Sequence, residues 1–437
     1  QAMEKTYYAY LAFDEVTDFL LQNEEDDVSI AQTKRNAQNA KHAIKQLFDL
    51  FKQLSQQPDT PDFRLGQEAY LHVLANRYQI EQKPSKLAKR LEKNFRSAQQ
   101  NLAQALEPFS LETAEEEVTV VDDLNTAPTV QELPQEPKKK APKAKEVPPS
   151  AQDFYQAARR MPVVPASRNL IAALTQDANA LAEFFSQDGT LPASAIHFSV
   201  KQMPAFYAYF RAYLFVPPYG NQYAPSTDLF LRLPSGNKLA RQEQLQRDFN
   251  VPTRKLLLSG ELVPGRYYQT VATNQLSAIR RLYPSETLAN GWSAYAQQLA
   301  AQRGYIATNE ERLFLAWLQY RRAAAALLDW RLQTKQYSYT QAMHFLMDEN
   351  GFDQTDAENL LKNISAHPGR AVSYIYGLDT LKDAHAYFAK KWGKQFTPVQ
   401  FHSLLLQAGN VPPNMLEKEI QRLDKEAKQQ AKQNDLF

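Results

Sequence analysis

The sequence predicts a mainly α-helical protein that carries one small antiparallel β hairpin. Glycine is scarce, at 13 of 437 residues, while the helix-favouring residues Ala, Leu, Gln, Glu and Lys are abundant. Apolar residues recur at helical spacing along most of the chain. Only the stretch near 210–233 holds aromatic and aliphatic runs bracketed by Pro, Gly and Asn, as hairpins do. The expected architecture is a large helical bundle with the hairpin at its edge.

The chain divides by composition into three parts. Residues 1–111 are predicted to form an N-terminal helical region of four helices. Residues 112–150 are rich in Pro, Glu and Lys, so they bury little surface and are predicted to be a linker or an extended surface strap. The KKKAPKAK run within them could bind an acidic partner, although a solvated spacer is the simpler interpretation. Residues 151–437 are predicted to form the main helical domain, which includes the hairpin.

Several helices of the main domain have predicted limits. Helical patterning covers 151–206, and two helices over Gly260–Ile279 and Ser285–Gly304 are expected to pack side by side across a cleft. A later helix is expected to start at Thr397, which precedes a proline, and to stop at Gly409.

Charge and cysteine content exclude several functional classes. The chain has 50 Lys and Arg against 48 Asp and Glu, a net charge of +2, so nucleic acid is not an expected partner. No cysteine is present, which excludes disulfides, thiolate metal sites and a cysteine nucleophile. No apolar run is long enough to predict a transmembrane segment.

The common catalytic motifs are missing from the sequence. No two of the seven histidines lie within one helical turn of each other, so there is no HExxH pair. The GxSxG, GxGxxG and GxxxxGK[ST] patterns are also absent. Glu261 is the carboxylate of most interest, because it lies among apolar residues where it needs a partner, and Arg266 is the expected one.

Four ordered blocks resemble a known family. They are GELVPGRYYQ (260–269), NGWSAYAQQLAAQRGY (290–305), HPGRAVSYIYG (367–377) and FTPVQFHSLLLQAGNVPPNML (396–416). They are similar to the blocks HEAxPGHHLQ, EGWAxYAE, PGxAxSYxxG and FHxxLLxxGxxP of the bacterial domain-of-unknown-function 885 family. The resemblance implies a body like that of the HExxH zinc carboxypeptidases.

The same resemblance implies that the metal ligands are replaced. The first histidine of the family pattern is Gly260 here, its His-His pair is Arg266-Tyr267, and its third ligand, a glutamate, is Asn290. Glycine, arginine and asparagine do not normally bind zinc in such a site. We therefore expect no metal and no cofactor, with Glu261 as a vestigial general base.

Two functional hypotheses follow, and the first is favoured. The chain is a non-catalytic, metallopeptidase-like module that binds or scaffolds a peptide or cell-envelope partner. Alternatively, it is a peptidase-type hydrolase with a relocated or metal-independent site around Glu261, to which His367, Tyr374 and His402 would converge. The candidate binding residues are Arg266, Tyr267, Asn290, Trp292, Tyr295, Tyr374 and His402.

The expected location is the periplasm or cell envelope. The lack of cysteine and the frequent secreted or lipoprotein forms of the family favour it. The protein would then be a lipoprotein whose N-terminal signal is not part of this chain. Composition alone leaves the cytoplasm open as an alternative, and it does not predict an oligomeric state.

Overall fold

The computed structural model of the protein describes most of the chain. The described residues are 26–56, 62–116, 150–160, 170–193, 197–203, 212–215, 226–234, 236–282 and 284–434, with scattered positions before 26. The predicted linker beyond Glu116 and the loop of the predicted hairpin lie outside these ranges.

Helices dominate the described residues, as predicted. The first half contains α1 (Asp27–Ser55), α2 (Gln67–Asn76), α3 (Pro84–Glu116), α4 (Ala151–Arg160), α5 (Leu170–Asp188), α6 (Lys238–Asp248), α7 (Val251–Glu261), α8 (Arg266–Asn274) and α9 (Ala278–Leu282). The second half contains α10 (Glu286–Gln302), α11 (Asn309–Gln333), α12 (Tyr339–Met347), α13 (Gln354–Ala366), α14 (Arg370–Trp392), α15 (Pro398–Ala408) and α16 (Leu416–Asn434). Short 3₁₀ helices precede α15 and α16. None of the helices in the described part of the chain has the length and apolarity needed to cross a bilayer.

The predicted hairpin is present, and a third strand joins it. β2 (Ala212–Phe215) pairs antiparallel with β3 (Ser226–Leu231), and β1 (His197–Gln202) pairs parallel with β3, in the order β1-β3-β2. The helical prediction for 151–206 is therefore wrong at β1. Val200 of this strand is buried while Lys201 and Gln202 are exposed. A stretch of six residues gives too short a pattern to separate the two periodicities.

Helices α10, α11 and α14 form the centre of the body. α14 packs on both α10 and α11, and α11 also packs along α3. The α4 helix joins the same core, because the ring of Phe154 stacks on Trp317 of α11 with centroids 4.5 Å apart. The chain that follows the undescribed linker thus returns directly to the main domain.

Two glycines let α10 and α14 touch through their backbones. A Cβ added at Gly377 would lie 2.0 Å from the carbonyl oxygen of Thr287, and one added at Gly291 would lie 2.6 Å from the Cα of Gly377. Neither position has room for a methyl group. This contact fixes the distance between the helices that carry Asn290 and Tyr374.

The predicted helix over Gly260–Ile279 is wrong, because the chain turns after Glu261. A turn over residues 262–265 separates α7 from α8, and a second short break precedes α9. Pro264 has no N–H to donate within a helix. A Cβ on Gly265 would lie 2.2 Å from the carbonyl oxygen of Gly260, so the turn is too tight for any side chain there. As predicted, α10 packs beside α7 and α8.

We expect Gly377→Ala to lower the free energy of unfolding by about 1–3 kcal/mol, because the added methyl group overpacks the contact between α10 and α14. Chemical denaturation monitored by circular dichroism measures the change. Lys382→Ala, at an exposed position of the same helix, is the control and should change stability little. Equal stability of the two variants would contradict the close contact.

Candidate functional site

Arg266 joins three helices at one point. It is the first residue of α8, and its Nη2 donates hydrogen bonds to Asn290 Oδ1 on α10 at 2.8 Å and to the hydroxyl of Tyr374 on α14 at 2.6 Å. The guanidinium also lies 5.8 Å from the centroid of the Tyr374 ring. The structure thus brings together three of the residues that the sequence singled out.

The expected direct ion pair between Arg266 and Glu261 is wrong. Arg266 spends its hydrogen bonds on Asn290 and Tyr374, and Glu261, the last residue of α7, is half-buried without touching it. Burial lowers the pKa of Arg266, but the charge of Glu261 and the Tyr374 hydroxyl outweigh it and raise that pKa above its ordinary value. Glu261 therefore acts on Arg266 through space.

Asn290 uses both ends of its amide. It accepts from Arg266, and its Nδ2 donates to the Oγ of Ser373 at 2.9 Å. Ser373 in turn donates to the carbonyl oxygen of Arg370 at 2.7 Å. Asn290 is only 7% exposed, and these two hydrogen bonds satisfy its buried amide. At the position where the family resemblance implies a glutamate ligand, the chain carries a structural amide.

The position of the first expected histidine is filled from another helix. A Cβ on Gly260 would lie 2.7 Å from Nε2 of Gln297. That nitrogen donates to the carbonyl oxygen of Leu256 at 2.7 Å, and Gln297 Oε1 accepts from Nη1 of Arg322 at 2.7 Å. The glutamine of α10 therefore replaces a side chain from α7, and it holds a second arginine at the site.

Sequence reasoning missed Gln297 and Arg322. Gln297 lies seven residues after Asn290, which is two helical turns, so both project from the same face of α10. That spacing could have marked Gln297. Arg322 lies on α11, outside the four blocks that resemble the family, and no local pattern distinguishes it from its neighbour Arg321.

The two arginines lie near the same aromatic ring. The guanidinium of Arg322 is 5.6 Å from the centroid of the Tyr374 ring. Burial lowers the pKa of Arg322, Tyr374 and Glu261 oppose the change, and the like charge of Arg266 adds to it. An arginine still stays protonated in a protein. We call Glu261, Arg266, Arg322 and Tyr374 the arginine centre.

The arginine centre carries excess positive charge and unused donors. The charge of Glu261 acts on both guanidiniums, and that of Glu286, outside the centre, acts on Arg266 as well. The Nε of Arg266 is buried without a hydrogen-bond partner. Among the described residues, Arg322 donates only through Nη1. All four members are half-buried, so each keeps some contact with solvent. Such a site attracts an anion.

Two other candidate residues, Tyr267 and Trp292, support the centre from outside. The Tyr267 hydroxyl accepts from the amide of His197 at 2.9 Å and donates to its carbonyl oxygen at 2.7 Å, which ties β1 to α8. Trp292 Nε1 donates to the carbonyl oxygen of Pro264 at 2.8 Å and so braces the turn before Arg266. Both side chains are buried and serve packing.

His402 belongs to a separate buried network. Its Nδ1 donates to the carbonyl oxygen of Thr190 at 2.9 Å, so its Nε2 accepts from the hydroxyl of Tyr295 at 2.9 Å. The ring is 1% exposed, and burial lowers its pKa to about 4. Because both nitrogens are bonded within the core, His402 and Tyr295 do not face the arginine centre.

A buried carboxylate anchors the helix that carries Tyr374. Asp329 on α11 accepts from the amide of Gly369, the residue before α14, with the shorter contact at 2.9 Å. Burial raises the pKa of Asp329 to about 7, and the Gly369 amide and the Tyr70 hydroxyl act in the opposite direction. Asp329 thereby fixes the first turns of α14, where Ser373 and Tyr374 lie.

No cluster of three His, Cys, Asp or Glu side chains that could hold a metal ion occurs in the described ranges. Apart from the carboxylate of Glu261, the polar groups at the arginine centre are guanidiniums, carboxamides and hydroxyls, which donate hydrogen bonds or accept them weakly.

The chain belongs to the bacterial family described as "Bacterial protein of unknown function (DUF885)", which matches residues 3–420. The resemblance found in the four sequence blocks is thus confirmed at the level of the family. No curated protein matches the chain.

Two solved structures are similar to this fold. One is described as "a putative lipoprotein of unknown function from Shewanella oneidensis", with a TM-score of 0.67 and 19% identity over 97% of this chain and 73% of the other. The other is "the putative lipoprotein from Colwellia psychrerythraea", with a TM-score of 0.65 and 16% identity over 90% of this chain and 61% of the other. At these identities the likeness concerns the fold alone.

We expect Arg266→Ala to lower the free energy of unfolding by about 1–3 kcal/mol, because it leaves the buried amide of Asn290 short of a partner. Denaturation curves measure the loss. The control is Arg241→Ala, whose side chain is exposed on α6 and which should shift stability by less than about 0.5 kcal/mol. Equal losses would show that the contacts of Arg266 contribute nothing.

Asp329 should make stability depend on pH. Its pKa is raised on folding, so its contribution is fully present below its ordinary pKa and is lost as pH rises through about 7. From about pH 5 to about pH 8, we expect the wild type to lose about 2 kcal/mol of unfolding free energy relative to Asp329→Asn.

Urea denaturation at several pH values measures this difference. Asp348→Asn, at an exposed position, controls for the change of charge and should track the wild type. A constant difference between wild type and Asp329→Asn across the range would show that Asp329 does not titrate there.

Proposed function

We propose that this protein is a metal-free, non-catalytic binding module whose arginine centre binds the carboxylate of a peptide or cell-envelope partner. The observation that carries the proposal is the pair of half-buried guanidiniums beside the Tyr374 ring, one of which, that of Arg266, has a buried Nε–H without a hydrogen-bond partner. Such donors are costly to leave unsatisfied, and a ligand oxyanion satisfies them.

Zinc does not fit the residues at this site. The side chain that Gly260 lacks could not be accommodated, because Gln297 occupies the space. Asn290 is committed to Arg266 and Ser373. A fixed guanidinium also repels a dication at short range. The single remaining carboxylate, Glu261, supplies too few ligands for a structural or catalytic zinc ion.

A carboxylate suits the arginine centre better than a neutral group. The planar fork of a guanidinium matches a carboxylate in two parallel hydrogen bonds. The centre holds two positive charges against one negative charge, so binding an anion brings it closer to neutrality. Partial burial strengthens this attraction, because the local dielectric constant is lower than in water.

The fold and the similar structures support an envelope role. Both solved structures are described as putative lipoproteins, and we extend an envelope location to this chain on that basis. A module held at the cell surface or in the periplasm would encounter peptides with free termini there.

A hydrolase centred on Glu261 is the second candidate. The observation in its favour is that Glu261 is half-buried and makes no hydrogen bond or ion pair with any residue that the structure describes. Against it, both ring nitrogens of His402 are bonded within the core, so His402 does not share proton transfer with Glu261.

Ligand-observed NMR with a mixture of dipeptides tests the proposal. We expect dipeptides with a free C-terminus to bind. The same dipeptides with amidated C-termini should bind with an affinity lower by about tenfold or more. Arg322→Gln should remove this preference. Arg321→Gln is the matched control, because the adjacent Arg321 is similarly half-buried but bonds Asp356 at 3.2 Å.

Two further outcomes would overturn the proposal. Equal binding of free and amidated dipeptides would show that no carboxylate is recognised. Cleavage of the dipeptides in the NMR tube that resists chelation and disappears in Glu261→Gln would instead establish the hydrolase. Zinc added to the same sample should leave the binding unchanged.

A further inference from the structure

We infer that the ligand of the arginine centre is a zwitterion, an amino acid or short peptide whose free ammonium binds Glu261 while its carboxylate binds Arg266 and Arg322. The inference rests on the proposed function and adds the second charged group of the ligand. It is carried by Glu261, which has no partner among the described residues, and by two nearby arginines whose own hydrogen bonds hold them away from it.

Glu261 is an unusual carboxylate for its surroundings. It is the last residue of α7, half-buried between the buried residues Gly260 and Leu262. Within the described ranges it forms neither a hydrogen bond nor an ion pair. A partly buried charge without a partner is costly. A bound ligand with a positive charge would supply the partner that the described residues do not provide.

The neighbouring arginines cannot serve as that partner without losing their own contacts. Arg266 is held by Asn290 and Tyr374, and Arg322 is held by Gln297. Each of these hydrogen bonds is between 2.6 and 2.8 Å long. Moving either guanidinium onto Glu261 would leave the buried amide of Asn290 or Gln297 unsatisfied. The fold therefore keeps the positive and negative charges apart.

This separation determines the charge pattern of the ligand. Glu261 still influences both arginines, since its charge raises the pKa of Arg266 and opposes the lowering of that of Arg322. Both arginines lie within 6 Å of the Tyr374 ring, at 5.8 and 5.6 Å from its centroid. Glu261 follows Gly260, which lies against the Gln297 side chain that binds Arg322. The three charged groups therefore lie close together. A ligand with only a carboxylate would leave Glu261 unpaired and would be repelled by it. A ligand with a carboxylate and an ammonium satisfies all three.

An extended dipeptide has the right reach for such a site. Two residues span at most about 7 Å, so its two charged termini stay close together. Free amino acids place the two charges closer still. Long polymers without a free amine near the carboxylate do not supply the pattern.

N-terminal acetylation of the dipeptides separates this inference from the proposed function. With wild-type protein, we expect acetylation to weaken the apparent affinity of dipeptides with a free C-terminus by about tenfold or more. In Glu261→Gln, acetylated and free dipeptides should bind equally, and both should still prefer a free C-terminus. Glu243→Gln, on the exposed side of α6, is the control and should behave as wild type.

Each alternative outcome is decisive. If wild type binds acetylated and free dipeptides equally but still needs the carboxylate, the proposed function stands and the zwitterion is overturned. If Glu261→Gln binds every carboxylate more tightly, acetylated or not, Glu261 only offsets charge and the inference fails. If the carboxylate itself makes no difference, the proposed function fails and the inference fails with it. Circular dichroism melts of both variants establish that they are folded.

Discussion

The hydrogen bonds that Arg266 donates to Asn290 and Tyr374 are the point on which the site depends. They connect the first turn of α8 to α10 and α14. The geometry exists only because Gly291 and Gly377 let α10 and α14 approach through their backbones. A larger residue at either glycine would move Asn290 and Tyr374 apart, and one guanidinium could then not reach both. Backbone packing thus sets the chemistry of the centre.

Much of the fold was predictable because it depends on local rules. Thr397 caps α15 with its side chain, and Gly409 ends that helix at a φ of 68°, both as the sequence indicates. The hairpin was predictable from its aromatic runs. β1 was not, because its parallel partner β3 is distant in the chain and six residues carry little periodic signal. The turn after Glu261 was missed because the family pattern suggests one continuous helix, whereas Pro264 and Gly265 break it.

The site was predictable only in part, for a related reason. Four site residues stand out within the family blocks. Arg266 and Asn290 replace expected metal ligands, whereas Glu261 and Tyr374 match the family pattern. Gln297 and Arg322 do not stand out, because their role depends on how α10 and α11 pack around Gly260. The direct pairing of Arg266 with Glu261 was a reasonable expectation from five-residue spacing. It fails because the intervening turn directs the guanidinium toward α10 and α14, where it binds Asn290 and Tyr374.

The chemistry of the centre favours recognition over reaction. A general acid or base needs a pKa near the working pH, and a guanidinium stays charged throughout the accessible range. Burial raises the pKa of Asp329 to about 7 and lowers that of His402 to about 4. Both groups lie in the core and support helices rather than face solvent. Their contributions also oppose each other, because that of Asp329 is lost as pH rises through about 7 and that of His402 is lost as pH falls through about 4. Between about pH 4 and pH 7 each of the two groups keeps part of its contribution to the stability of the fold. The arginines keep a constant charge over the same range. A site whose charges do not change and whose donors are fixed in place is suited to holding an ion pair, which is the behaviour that the proposed function requires.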